Sequence, residues 1–235
     1  MLLRSFRTGL ALGLLVQILP AYSQAPNRPP DTMAARVAAC APCHGGDGEG
    51  TSDVYFPRLA GKPGGYLYNQ LLAFRGDRRK YPPMNYLLEF LPDSYLQEIA
   101  DYFASLHPPL PPPSASDVSQ ELLAHGQALV SHGDTAREIP ACASCHGPML
   151  TGMEPGIPGL LGLRANYISA QLGAWRYGTR TAKSPDCMQA VAARLTEQDV
   201  TAIAAWLATR TAPASAAPVP KGTYVLPFDC GSEPN

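Results

Sequence analysis

The pentapeptide Cys-x-x-Cys-His occurs twice in this chain, at 40–44 (Cys-Ala-Pro-Cys-His) and 142–146 (Cys-Ala-Ser-Cys-His), 102 residues apart. On one turn of helix, residues i, i+3 and i+4 share a face. Two thiols so placed reach the same edge of a flat macrocycle, while the following imidazole meets a metal at its centre. This is the attachment signature of c-type haem. The doubled motif therefore predicts two covalent haem c groups, with Cys40, Cys43, Cys142 and Cys145 as thioethers and His44 and His146 as axial ligands. A bare Cys-x-x-Cys also suits a thioredoxin-type dithiol or half of a zinc site. Neither explains a histidine directly after both pairs.

The N-terminus points to export. Arg4 and Arg7 precede an apolar run over 9–19, followed by Ala21-Tyr22-Ser23 with small residues at both cleavage-determining positions. This predicts a signal peptide over 1–23, cleaved before Gln24, and a periplasmic protein. The run is too short to span a bilayer, which takes roughly 20 residues. Four of the six cysteines belong to the haem motifs, leaving Cys187 and Cys230 as an even remainder in a compartment where disulfides persist. Their evenness favours a bridge that pins the C-terminal tail beside the second haem. Thiolate ligation by Cys187 and a pair of free thiols stay open as alternatives. With 18 basic and 19 acidic side chains the charge is nearly balanced, which argues against a nucleic-acid partner, since that needs a basic face.

Shifted by 101–104 positions, the chain overlays itself. Tyr66-x-x-x-Gln70-Leu71-x-x-Phe74-Arg75 matches Tyr167-x-x-x-Gln171-Leu172-x-x-Trp175-Arg176, and Leu91, Ile99 and Tyr102 match Leu195, Ile203 and Trp206. A period this long means duplicated domains rather than a solenoid. The predicted organisation is a first domain over 24–107, a Pro-rich linker over 108–118, a second domain over 119–210 and a tail over 211–235. Each half reads as all-α. Leu96, Ile99, Phe103 and Leu106 recur at helical spacing, and their counterpart helix opens on Thr196-x-x-Asp199, which resembles a capping box. Tyr66 to Phe74 and Tyr167 to Trp175 read as second helices facing the same cores. Short helices lead into the motifs, one of them over Gly126 to Ser131. The linker reads as an extended, semi-rigid spacer. Domains this small sit near the lower limit for a self-sufficient core, so a covalent apolar cofactor acts as a staple.

The repeat also selects sixth ligands. Met84 lies 40 residues after His44 and Met188 lies 42 after His146, each 7 residues before a matched leucine. An isolated methionine is ordinarily core filler, but recurrence at matched places makes Met84 and Met188 the expected axial partners. Tyr81-Pro82-Pro83 suits presentation of Met84 from a loop, and the approach to Met188 looks less constrained. Met149 and Met153 follow His146 too closely and read as packing or loop residues. Thioether ligation favours reduced iron and raises the potential. It also closes both axial positions, which argues for an electron carrier over a catalyst. His107, His125 and His132 have no counterparts and read as linker or surface residues. The run Arg75-Gly76-Asp77-Arg78-Arg79-Lys80 reads either as a solvated face or as cations beside a haem edge, steering an acidic partner or pairing with propionates.

On these paired motifs, the Tyr-x-x-x-Gln-Leu helices, Cys142 to Pro148, Met84 and Met188, the chain resembles the di-haem cytochrome c4 family from about residue 33 to 210. The resemblance implies two class I cytochrome c domains about a pseudo-twofold axis, with haems close enough for intramolecular transfer. It also implies redox protein partners: a periplasmic dehydrogenase or respiratory donor, and a terminal oxidase or other acceptor, with soluble or peripheral membrane-associated members. A second reading is the electron-accepting subunit of a periplasmic dehydrogenase, similar to the di-haem subunit of flavocytochrome c sulfide dehydrogenase. A third, a di-haem peroxidase or thiosulfate-oxidising enzyme, needs an open or Cys-ligated haem. The short approach to Cys40, the Cys187 and Cys230 pair and the long tail depart from the family pattern.

Overall fold

The computed structural model describes residues 30–51 and 56–233; the expected signal peptide over 1–23 lies outside them. From Asp31 onward the chain forms one unit built on two hydrophobic clusters. The first half contributes α1 (Met33–Arg36), α2 (Ala41–His44), α3 (Gly64–Arg75), α4 (Pro82–Leu88) and α5 (Asp93–Ser105). In the second half come α6 (Gln120–Ser131), α7 (Cys142–His146), a two-residue antiparallel pair β1 (Gly152–Met153) and β2 (Ile157–Pro158), then α8 (Ala165–Arg176), α9 (Cys187–Ala192) and α10 (Glu197–Ala208). The small β pair is too short to leave an alternating pattern in the sequence.

Leu96, Ile99 and Phe103 of α5 pack with Leu67 and Phe74 of α3 and with Leu88. Correspondingly, Val200, Ile203, Trp206 and Leu207 of α10 pack with Ile168 and Leu172 of α8 and with Leu129 and Val130 of α6. The Thr196 hydroxyl accepts from Asp199 N while the Asp199 carboxylate accepts from Thr196 N, so the expected capping box is present. The second half has a full leading helix. Where the periodicity suggested only 126–131, α6 begins at Gln120, because the Ser119 hydroxyl accepts from Leu122 N and starts the helix two turns earlier. Gly126 lets α6 lie against α10. A Cβ there would come within 2.1 Å of the Ala202 carbonyl oxygen and 3.0 Å of Trp206 Cβ.

The Pro-rich segment is not a free spacer. Arg58 donates from Nε to Ala60 O at 3.0 Å and from its terminal nitrogens to Pro108 O and to Pro109 O, the latter at 2.9 Å. Leu110 packs on the second cluster, and Ser114 N donates to Ala208 O. Proline carbonyls have no helix to serve, so a buried guanidinium from the first half can collect them.

The tail also has a course of its own. Val219 pairs with β1, its N–H reaching Gly152 O at 3.0 Å and its carbonyl taking Glu154 N at 2.8 Å. Cys230 is bonded to Cys187 with Cα atoms 5.0 Å apart, so the bridge forms and Cys187 has no thiolate to offer iron.

Candidate haem sites

Both Cys-x-x-Cys-His motifs are helical, and in both the following glycine turns the chain away, Gly45 at φ +85° and Gly147 at φ +80°. His44 and His146 are buried. The Nδ1 of His44 lies 2.9 Å from Pro57 O and that of His146 lies 2.7 Å from Pro158 O. A carbonyl only accepts, so Nδ1 carries the proton and the Nε2 lone pair is left for a metal. Burial lowers both imidazole pKa values, which keeps the rings neutral.

Burial also raises the thiols of Cys40 and Cys145 and pushes Cys142 up to about 12. A reactive dithiol needs the opposite shift. No cluster of three or more His, Cys, Asp or Glu side chains among the described residues could hold a metal ion. The dithiol and zinc alternatives therefore find no support.

Met84 and Met188 sit on helices rather than in loops. Met84 is the third residue of α4, behind Pro82 and Pro83 in its first turn, where missing amide hydrogens cost nothing. The Asn85 amide donates to Phe74 O and Arg79 O and takes Tyr81 N, holding α4 against α3. Met84 and Cys40 pack on one cluster, Met188 and Cys142 on the other. The approach to Met188 is as constrained as that to Met84. Asp186 caps α9 by accepting from Gln189 N at 3.0 Å and from Ala182 N at 2.5 Å, and Cys187 is tied to Cys230. Met149 is exposed and Met153 is buried in β1, in packing and loop roles.

In the second half, Cys142, Cys145, His146 and Met188 line one cavity whose walls include Leu160, Ile168, Leu172, Ile203 and Leu207. The cavity continues to the junction of the halves, where Lys62, Tyr66, Gln70, Trp175 and Arg180 also face it. That junction is a reciprocal seam. Arg79 donates to Gln70 Oε1 at 3.0 Å in its own half, and to Gln171 Oε1 at 2.8 Å and Tyr167 OH at 2.9 Å in the other. Arg180 donates to Gln171 at 2.7 Å in its own half, and to Gln70 at 2.7 Å and Tyr66 OH at 3.4 Å across the seam. The guanidiniums lie over matched aromatic rings, Arg79 over Phe74 at 4.5 Å and Arg180 over Trp175 at 3.6 Å.

This seam adds to the sequence expectations. Both helices do pack on their cores, Tyr66 among the residues against the first, and their Tyr-x-x-x-Gln pairs also reach the arginine of the other half. Arg79 is 9% exposed and spent within the molecule, so it is not available to steer a partner. Elsewhere in the run, Arg75 bonds Leu91 O and Asp93, and Lys80 pairs with Asp77. Of the readings of this run, the steering of a partner loses Arg75, Arg79 and Lys80 to partners within the molecule. The seam itself was missed, although a signal existed: Arg79 and Arg180 stand 101 apart, the spacing of the Tyr and Gln pairs. His125 is likewise more than a surface residue, with Nε2 2.7 Å from Asp199 Oδ1 beside Arg137.

The residues present fit haem. Trp175 Nε1 is buried without a hydrogen-bond partner and lines the cavity, as suits a donor awaiting an acceptor. The seam gathers Lys62, Arg79 and Arg180, and the ion pairs among the described residues include none to these three. Burial, then Arg79, brings Arg180 down to about 10. Burial alone would raise the Tyr66 phenol, but Arg180, Arg79 and Lys62 outweigh it and bring it to about 8. An apolar macrocycle carrying carboxylates matches both the cavity walls and this uncompensated charge.

Comparison with known proteins agrees with this chemistry. The cytochrome c family profile matches residues 123–211. The thiosulfate dehydrogenase electron acceptor of Thiomonas intermedia is 36% identical over 175 residues, covering 73% of this chain and 78% of that one. Cytochrome c4 of Pseudomonas aeruginosa is 37% identical, covering 74% and 84%. The crystal structure of reduced recombinant cytochrome c4 from Pseudomonas stutzeri superposes with a TM-score of 0.66 at 32% identity, over 75% of this chain and 96% of that one.

Proposed function

The chain belongs to the di-haem cytochrome c4 family, and from that membership we propose that it accepts electrons from a periplasmic dehydrogenase of the thiosulfate dehydrogenase class and passes them onward. That it has the class I cytochrome c fold, carries covalent haem c and transfers electrons follows from the family. The specific donor, the ligand set and the periplasmic location are our reading.

In that reading the modules are 24–107 and 119–210, exported by the leader over 1–23. Cys40 and Cys43 hold the first haem and Cys142 and Cys145 the second. His44 and Met84, and His146 and Met188, take the axial positions. The haem supplies one-electron exchange at its iron; the side chains set where and at what potential. Pro57 O and Pro158 O orient the imidazoles. Filled axial positions leave no place for substrate, which fits a carrier.

The observation that carries the proposal is the reciprocal seam. Each half lends its arginine to the other half's glutamine, which joins the two modules at a buried polar contact, as a two-centre relay requires. Relatives named as thiosulfate dehydrogenase electron acceptors support the donor class. A second reading, delivery to a terminal oxidase in the manner of a general carrier, is favoured by the equally similar cytochrome c4.

The test mixes the oxidised holoprotein with thiosulfate and a catalytic amount of a bacterial thiosulfate dehydrogenase, following haem reduction optically. Thiosulfate-dependent reduction of both haems is expected. A protein that stays oxidised, while that enzyme's own acceptor is reduced in parallel, overturns the donor assignment and leaves the general carrier.

A further inference from the structure

The two sites differ in one respect that the repeat does not foresee: a segment of the tail runs alongside the second. It is held at three places. Val219 is paired to β1 on both its N–H and its carbonyl. Cys230 is bonded to Cys187, the residue before Met188. Beyond the bridge, Gly231 N donates to Pro185 O at 2.8 Å, and Ser232 O accepts from Asn69 Nδ2 of α3 at 3.2 Å, in the first half.

Between these anchors the course is specific. The Tyr224 ring sits against Gly147, where an added Cβ would lie 3.0 Å from Tyr224 Cε2. Leu226, Phe228, Cys230 and Ser232 then line the cavity that also holds Cys142, Cys145 and Met188. Gly147 follows the histidine and Cys187 precedes the methionine. If those two residues ligate from opposite faces, a chain passing from one to the other crosses the rim of the ring. Resting on the ligand assignment above, we infer that residues 219–233 form a cover over the exposed rim of the second haem, leaving the first as the centre open to redox partners.

Among the described residues, the first half has no equivalent segment. From α5 it goes directly into the linker collected by Arg58. Its methionine helix, α4, shows Tyr86 at 76% exposure and Leu87 at 52%, with Phe90 at 84% just beyond. In the second half the exposed large apolar side chains include Val225 and Phe228 of the cover. A layer of side chains over a haem rim keeps water away and puts a partner farther from the ring, so the second centre exchanges electrons with the outside by way of the first. A crosslink of ordinary strength keeps such a segment closed. Without it the cover opens at least about tenfold more often, which corresponds to about 1.4 kcal/mol.

Proton NMR of the reduced, diamagnetic holoprotein tests this with a soluble gadolinium chelate as the probe. Haem-methyl resonances of the first haem should broaden and those of the second should be spared. In the full-length Cys187→Ser/Cys230→Ser protein, and in Leu226→Ser/Phe228→Ser with the bridge intact, second-haem methyls should broaden too. Equal broadening of both haems in the unsubstituted protein overturns the cover, as does continued sparing of the second haem in both variants. The same spectra report ligation separately, because an iron-bound methionine methyl is shifted far upfield by the ring current. Loss of that signal for Met188 in the unsubstituted protein sinks the ligand assignment instead.

Discussion

Arg79 and Arg180 lie antiparallel across the junction of the halves, and each donates to a glutamine of the other half, Arg79 to Gln171 at 2.8 Å and Arg180 to Gln70 at 2.7 Å. Two like charges side by side would repel in a dry seam. They persist because each guanidinium has several oxygen acceptors and an aromatic ring beneath it.

Gln70, like Gln171, accepts from both arginines. Gln70→Leu leaves buried charged donors short of a partner, so it should cost roughly 2–3 kcal/mol of stability. Chemical denaturation of the holoprotein measures it.

Glycine substitutions should have opposite signs at two helical positions. Gly126→Ala drives a Cβ into the Ala202 carbonyl and should cost roughly 1–3 kcal/mol through displacement of α6 from α10. Gly173→Ala meets nothing within 4 Å and should gain up to about 1 kcal/mol from helix propensity. Thermal unfolding of the two variants side by side checks the contrast.

Asp199 is 2% exposed. Burial alone would raise its pKa, but hydrogen bonds from Arg137, Thr196 N, His125 and the Thr196 hydroxyl outweigh it and hold the carboxyl well below the usual range. A depressed folded pKa means stability that is complete above the unfolded value of about 3.9 and lost as pH falls through the folded one. Asp199→Asn should therefore lower stability at neutral pH by roughly 2–3 kcal/mol and flatten its decline at acid pH. Denaturation midpoints across the acid range give both readouts.

The axial assignments predict separable effects. Met84→His should lower the potential of one centre and leave the other near its original value, and Met188→His should do the reverse. A spectroelectrochemical titration of each holoprotein reads this out. A variant in which neither potential moves removes that methionine from the ligand set.

Much of the chemistry was legible in the chain. The motif pentapeptides are local, and their histidines needed only a carbonyl nearby to be oriented. The two methionines were singled out because they recur at matched places in both copies, and the structure sets each beside a cysteine of its own motif, Met84 with Cys40 and Met188 with Cys142. Less legible was the setting of each. Ser119 extends α6 well before its apolar stripe becomes regular, and the Asp186 cap with the Cys187–Cys230 bridge makes the Met188 approach as firm as the proline-led one at Met84. Those features join residues whose partnership leaves no periodic trace.

The sequence by itself determined that haem c is carried and that the plan is helical and duplicated, and it singled out the motif cysteines and the matched methionines as candidates, because each rests on short-range spacing or on repetition. Only the tertiary structure decided where the polar faces of the repeat go and what the tail does. Tyr66, Gln70 and Arg79 read as ordinary helix and loop polarity until a second half is brought against them, and their burial depends on partners about a hundred residues away. The tail likewise has no pattern of its own. Its path is set by one bridge, a two-bond pairing with β1 and a cavity rim, all of which exist only once the second half has folded.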